Sequence, residues 1–115
     1  VFISGYEKKI KVIEGEAAEV LHWLDGSFDF IFLDAAKGQY IEFLPDIMRL
    51  LKSGGVLLSD NILYHGMVED DEKVERRKIT ILKRLHMYLE EIMSNDKLTT
   101  SIIPIGDGVA LSVKK

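Results

Sequence analysis

Apolar side chains in this sequence recur with two alternating periods, and the changes of period divide the chain into elements. Lys11-Val12-Ile13-Glu14 is a short strand candidate stopped by Gly15. Apolar residues at 17, 20, 21 and 24 then follow helical spacing from Glu16 to Leu24. Asp25-Gly26-Ser27 reads as a turn. Phe28-Asp29-Phe30-Ile31-Phe32-Leu33 is a nearly continuous apolar run ending in Asp34, as expected of a strand buried on both faces of a parallel sheet. From Gln39 to Lys52, apolar residues at 41, 43, 44, 47, 48, 50 and 51 predict a helix, with Pro45 as a local irregularity and Ser53-Gly54-Gly55 as its stop. Val56-Leu57-Leu58-Ser59 repeats the buried-strand pattern and ends in Asp60-Asn61. A charged stretch from Glu69 to Lys78 leads into a long amphipathic helix with apolar positions 74, 81, 82, 85, 89 and 92. Its acids come first and its bases later, as the helix dipole favours. Ser101-Ile102-Ile103-Pro104-Ile105 and Val109-Ala110-Leu111-Ser112-Val113 flank Gly106-Asp107-Gly108, a strand, tight turn, strand signature.

This order predicts an α/β sheet of mostly parallel strands, finished by one antiparallel strand in a carboxyl-terminal hairpin. Ligands of such sheets bind at the carboxyl ends of the strands, so Gly15-Glu16, Asp34 and Asp60-Asn61 are expected along one edge. At 115 residues, with 47% hydrophobic and 30% charged side chains, residues 1–115 make at most one domain with enough apolar material for a core. The formal charge of −4 argues against a broad basic footprint on nucleic acid. With no cysteine, disulfides, thiolate metal sites and cysteine nucleophiles are excluded, and a cytoplasmic location is the expectation. No apolar run approaches the roughly 18 residues that span a bilayer. The amino terminus, Val1-Phe2-Ile3-Ser4-Gly5, has no initiator Met, basic n-region or long h-region.

Asp34, Asp60 and Asn61 offer two carboxylates and an amide oxygen from two strand ends, a hard oxygen set suited to Mg²⁺ or another divalent cation. Lys37 follows Asp34 by three residues, close enough in a turn to reach the same spot as a base. The plainer alternative is that both aspartates cap the following segments and Lys37 is solvated; spacing alone leaves both open. Tyr40 opens a helix with an apolar face and reads as packing. His22, His65 and His86 lack metal-ligand spacing, and Arg76, Arg77, Lys78, Lys83 and Arg84 read as an exposed helical face rather than a phosphate contact.

Three segments, Phe28 to Lys37, Gly54 to Leu63 and Pro104 to Gly108, together resemble the cation-dependent O-methyltransferases that use S-adenosylmethionine. That family includes the catechol and caffeoyl-CoA enzymes and bacterial relatives, some of which methylate hydroxyuridine in tRNA. The resemblance runs over essentially the whole chain. It implies a Rossmann-like class I methyltransferase sheet, with Asp34, Asp60 and Asn61 as metal ligands and Lys37 as the base that deprotonates the acceptor hydroxyl. It also implies that Gly15-Glu16-Ala17 and Asp34 border S-adenosylmethionine, and that Tyr64 borders the acceptor, a catechol-like small molecule or a tRNA 5-hydroxyuridine. Relatives are commonly homodimers.

Complete family members carry further helices, strands and a glycine-rich cofactor loop ahead of these segments. By that comparison the chain is expected to be the carboxyl-terminal half or two-thirds of a methyltransferase, inactive in isolation. A phosphoacceptor receiver domain is the rival from another class, with Asp34 as acceptor; it requires an acidic pair after the first strand and a Lys-Pro late in the sheet, and here Ile103 precedes Pro104. A non-catalytic interaction half-domain is a third reading, disfavoured by retention of Lys37 and all three ligand candidates.

Overall fold

In the computed structural model of the chain, residues 9–63 and 72–115 are described, with side chains in the second range from residue 76 onward. The elements are helix α1 (Ala17–Trp23), strand β1 (Phe28–Leu33), a 3-10 turn (Lys37–Gln39) running into helix α2 (Tyr40–Leu50), strand β2 (Leu51–Asp60), helix α3 (Glu72–Ser94), and strands β3 (Leu98–Ile103) and β4 (Val109–Lys114). One sheet contains all four strands in the order β1-β2-β4-β3. β1 is parallel to β2, while β4 is antiparallel to both β2 and β3. β1, β2 and β3 therefore share a direction and β4 alone opposes them, as the mostly parallel sheet with a closing hairpin requires.

The core forms where helices α2 and α3 lie on one face of the sheet. Tyr40, Phe43, Leu44 and Ile47 repeat at 3.6-residue spacing along α2 and meet Leu33, Leu57 and Ala110 from the sheet, with Leu85, Tyr88 and Ile92 from α3. Burying each large apolar side chain contributes about 1.5–3 kcal/mol. Lys114 Nζ donates to the carbonyls of Met48 (2.7 Å) and Leu51 (2.6 Å), closing the carboxyl end of α2 against β4. Arg49 does the same for α1, donating to the carbonyls of Leu21 at 2.7 Å and Leu24 at 2.9 Å.

Several expected elements differ. Residues 11–14 run as irregular chain rather than a strand. A strand needs a neighbour to satisfy its backbone, and among the described strands β1 has only β2 beside it. Val12 is also 59% exposed, so no burial drives pairing. β1 itself is buried on one face instead of two: Ile31 and Leu33 face α2, whereas Phe30 and Phe32 are 56% and 51% exposed. The register carries that apolar surface across the sheet through Val56 and Val113. No described helix lies over it. On α3 the buried stripe passes through Leu85, Tyr88 and Ile92, with Leu82 exposed, so the tyrosine takes a place the apolar pattern gave to leucine. Acids do precede bases along α3, but its last turn has no basic side chain: the lysines and arginines end at Arg84 and Glu90 and Glu91 follow, so the carboxyl end lacks the charge its dipole favours.

Candidate active site

The carboxyl ends of β1 and β2 sit side by side. Leu33 pairs with Ser59 across the parallel ladder, so Asp34 and Asp60 follow at adjoining positions. Asp60 is half-buried, and its Oδ1 accepts the Asn61 N–H at 2.8 Å. Asn61 adopts a left-handed backbone with φ of 55°, a conformation asparagine tolerates better than most residues. The chain beyond it is held by the β3–β4 turn, where Ile62 N–H donates to the Gly108 carbonyl (3.2 Å) and Leu63 N–H to that of Asp107 (2.7 Å).

That close approach explains one glycine. Gly108 has φ of +85°, and a Cβ there would lie 2.6 Å from Leu63 Cγ. Gly108→Ala is therefore expected to cost about 1–2 kcal/mol in backbone strain and displaced packing, roughly 5–10 °C in thermal midpoint for a domain of this size. A scanning calorimetry trace unchanged from wild type would contradict this.

Lys37 begins the 3-10 turn after Asp34 and is half-buried. It lines a pocket of about 400 Å³ with Gly38, Gln39, Thr80, Ile81 and Arg84. Arg84 donates to the Gly38 carbonyl at 3.3 Å and to Glu42 Oε1 at 3.1 Å, tying the turn to α3 and α2. A second pocket, of about 300 Å³, brings Gly15, Ala17 and Asp34 together with Ile31, Phe43 and Ile47. Glu16 is not in that wall. Ala35 lines this second pocket and Ala36 the first, so the loop from Asp34 to Gly38 runs between them. Tyr64 lies outside the described residues.

Beneath the strand ends is a buried pair of tyrosines that sequence reasoning treated as packing or missed. Tyr40 and Tyr88 are fully buried and meet edge to face, with ring centroids 5.4 Å apart. The Tyr88 and Ser59 hydroxyls are 2.5 Å apart. Burial pushes the Tyr88 phenol up to about 12, although its hydrogen bond to Ser59 opposes the shift. Tyr40 Oη donates toward the Asp60 carbonyl at 3.0 Å and the Leu33 carbonyl at 3.4 Å. Burial also raises the Tyr40 phenol, opposed by the backbone N–H of Ala35 and reinforced by the carboxylates of Asp34 and Asp60. Both carboxylates thus act on one hydroxyl. The signal available in the sequence was position alone: Tyr40 begins the helix that follows Asp34, and Ser59 precedes Asp60.

The donor chemistry fits a hard divalent cation. Two carboxylates and a carboxamide stand at neighbouring strand ends, with no thiolate in the chain. No group of three or more His, Cys, Asp or Glu suited to a metal occurs among the described residues.

A mostly parallel α/β sheet with polar groups at its carboxyl edge defines a Rossmann-like enzyme class that binds its ligands along that edge. Within that class, the O-methyltransferase family model matches residues 2–115, and the chain belongs to this family. The match displaces the phosphoacceptor alternative. Tricin synthase 2 of Oryza sativa subsp. japonica is 34% identical over 94% of the chain and 40% of its own length. Caffeoyl-CoA O-methyltransferase of Populus kitakamiensis is also 34% identical, over 94% of the chain and 49% of its own. The S-adenosylhomocysteine-bound methyltransferase PaMTH1 of Podospora anserina shares the fold with a TM-score of 0.77 at 26% identity, over 96% of this chain and 53% of that one. The chain spans about half the length of these relatives. No described helix is long and apolar enough to cross a membrane.

Proposed function

We propose that this chain carries the metal and acceptor side of an S-adenosylmethionine-dependent O-methyltransferase acting on an acidic, catechol-like hydroxyl. The observation that carries the reading is the parallel register that sets Asp34 beside Asp60-Asn61, with Lys37 one turn further on. Small phenolic acceptors are favoured by the names of the relatives, among them a caffeoyl-CoA O-methyltransferase. When bound, a divalent cation supplies the charge that makes the acceptor hydroxyl more acidic, and S-adenosylmethionine supplies the methyl group.

Asp34, Asp60 and Asn61 present the oxygen donors for the cation. Lys37 Nζ is the base that receives the hydroxyl proton, so that the acceptor oxygen becomes the nucleophile. Gly15 and Ala17 leave room in the wall shared with Asp34 for the cofactor's flat base, and the apolar side chains of that wall exclude water from it. Catalysis by such residues is positioning and charge stabilisation, with no covalent enzyme intermediate.

Calorimetric titration tests the reading. Mg²⁺ is expected to bind the chain at one site. S-adenosylhomocysteine is expected to bind weakly or not at all, because half of the relatives' length lies outside the chain. Methyl transfer by the isolated chain at an enzyme-like rate, on the order of 1 per second or more, would overturn the expectation that the remainder is needed. A folded chain that takes up no Mg²⁺ would sink the metal site.

A further inference from the structure

We propose that Tyr40 is a positioning residue for the cation site, its buried hydroxyl clamping the ends of β1 and β2 so that Asp34 and Asp60 are held at a fixed separation. The inference rests on the metal reading of Asp34, Asp60 and Asn61 given above.

Parallel pairing ends at Leu33 and Ser59, so β1 and β2 are no longer paired where the carboxylates begin: Asp60 is still held by Val109 of β4 on its other side, whereas Asp34 lies beyond the end of β1. Tyr40 Oη occupies the gap, 3.0 Å from the Asp60 carbonyl and 3.4 Å from the Leu33 carbonyl. One hydroxyl therefore contacts the backbone of both strand ends, at Leu33 just before Asp34 and at Asp60 itself. Its ring cannot drift. The side chain is fully buried, packed edge to face on Tyr88, and rooted at the first residue of α2. Tyr88 is in turn held at Ser59, the residue before Asp60. For packing alone a phenylalanine would suffice at position 40; the hydroxyl is what joins the two strands. Groups that hold metal ligands in place typically carry 10- to 100-fold in metal affinity.

The experiment uses the full chain and Mn²⁺ alone as probe, followed by electron paramagnetic resonance titration, with thermal unfolding measured in the absence of metal. Tyr40→Phe is expected to weaken Mn²⁺ binding about tenfold or more. Thr100→Val serves as a comparator: it removes hydrogen bonds to Ile92 and Ser112 elsewhere in the sheet, and is expected to lower the unfolding temperature without moving Mn²⁺ affinity by more than about twofold. Replacement of Tyr40 by 4-aminophenylalanine, which keeps a donor at the para position, should restore affinity toward wild type. A Tyr40→Phe chain that binds Mn²⁺ like wild type overturns the clamp and leaves the metal site standing. Equal weakening by Tyr40→Phe and Thr100→Val also overturns it, since generic loosening then accounts for the effect. A wild-type chain that binds no Mn²⁺ overturns the metal reading and the clamp together.

Discussion

Asp60→Asn is expected to reduce Mg²⁺ affinity of the chain by roughly a hundred- to a thousandfold while leaving its unfolding temperature nearly unchanged. The substitution is chosen for what it keeps. Asp60 Oδ1 accepts the Asn61 N–H at 2.8 Å, and a carboxamide oxygen can accept the same bond. The Asp60 carbonyl, which takes the Tyr40 hydroxyl, belongs to the backbone and is not altered. What disappears is one negative charge, and a unit charge opposing a divalent cation at contact distance amounts to several kcal/mol even in a well-screened site. About 3–4 kcal/mol corresponds to the stated factor. In a longer methyltransferase containing this chain, methyl transfer should fall by a similar factor. Excess Mg²⁺ should recover part of it, because the defect lies in metal affinity first. Calorimetry on the chain and initial rates at two Mg²⁺ concentrations supply the two numbers. An Asp60→Asn chain that binds Mg²⁺ as tightly as wild type would show that the carboxylate caps the backbone turn and does nothing more, the plainer reading that sequence spacing left open.

The sequence made the site legible at the level of residues that end strands. A run such as Phe30 to Leu33 terminated by Asp34, and another from Val56 to Ser59 terminated by Asp60, marks two carboxyl ends without any structural knowledge. It could not show that the two ends adjoin, because strand order is a property of pairing between distant segments. The parallel register from Phe30 opposite Val56 to Leu33 opposite Ser59 settles that. Burial was less legible than type. Phe30 and Phe32 read as core because a continuous apolar run carries no mark of which face is covered, and helices α2 and α3 cover only one. Residues 11–14 read as a strand because β-branched residues favour extended chain, yet among the described residues no strand pairs with them. Tyr40 and Tyr88 were hardest to see. Tyrosine counts ambiguously in an apolar pattern, and its hydroxyl acquires a task only when folding brings a specific carbonyl or hydroxyl within reach, here those of Asp60 and Ser59.

Tyr88→Ala is expected to be the most damaging single change to the fold, lowering stability by about 4–6 kcal/mol. Truncating a buried aromatic costs about 3–5 kcal/mol through lost transfer energy and the cavity left behind. Tyr88 is fully buried, so relaxation from solvent cannot fill the space. Two further losses add to it. Ser59 is also fully buried and would lose its partner hydroxyl, leaving a polar group unsatisfied at a cost of about 1–3 kcal/mol. The edge-to-face contact with Tyr40, worth about 0.5–1.5 kcal/mol, goes as well. These contributions overlap, so the total stays below their arithmetic sum. Domains of this size are stable by only about 5–15 kcal/mol, and the loss is a large share of that. Tyr88→Phe separates the parts: it keeps the ring and the contact with Tyr40 and forfeits only the hydroxyl pair, for an expected 1–2 kcal/mol. Urea unfolding of the two variants beside wild type measures both. If Tyr88→Ala and Tyr88→Phe unfold at the same urea concentration, the ring contributes nothing beyond its hydroxyl, and Tyr88 is not the core side chain its burial and its contact with Tyr40 make it.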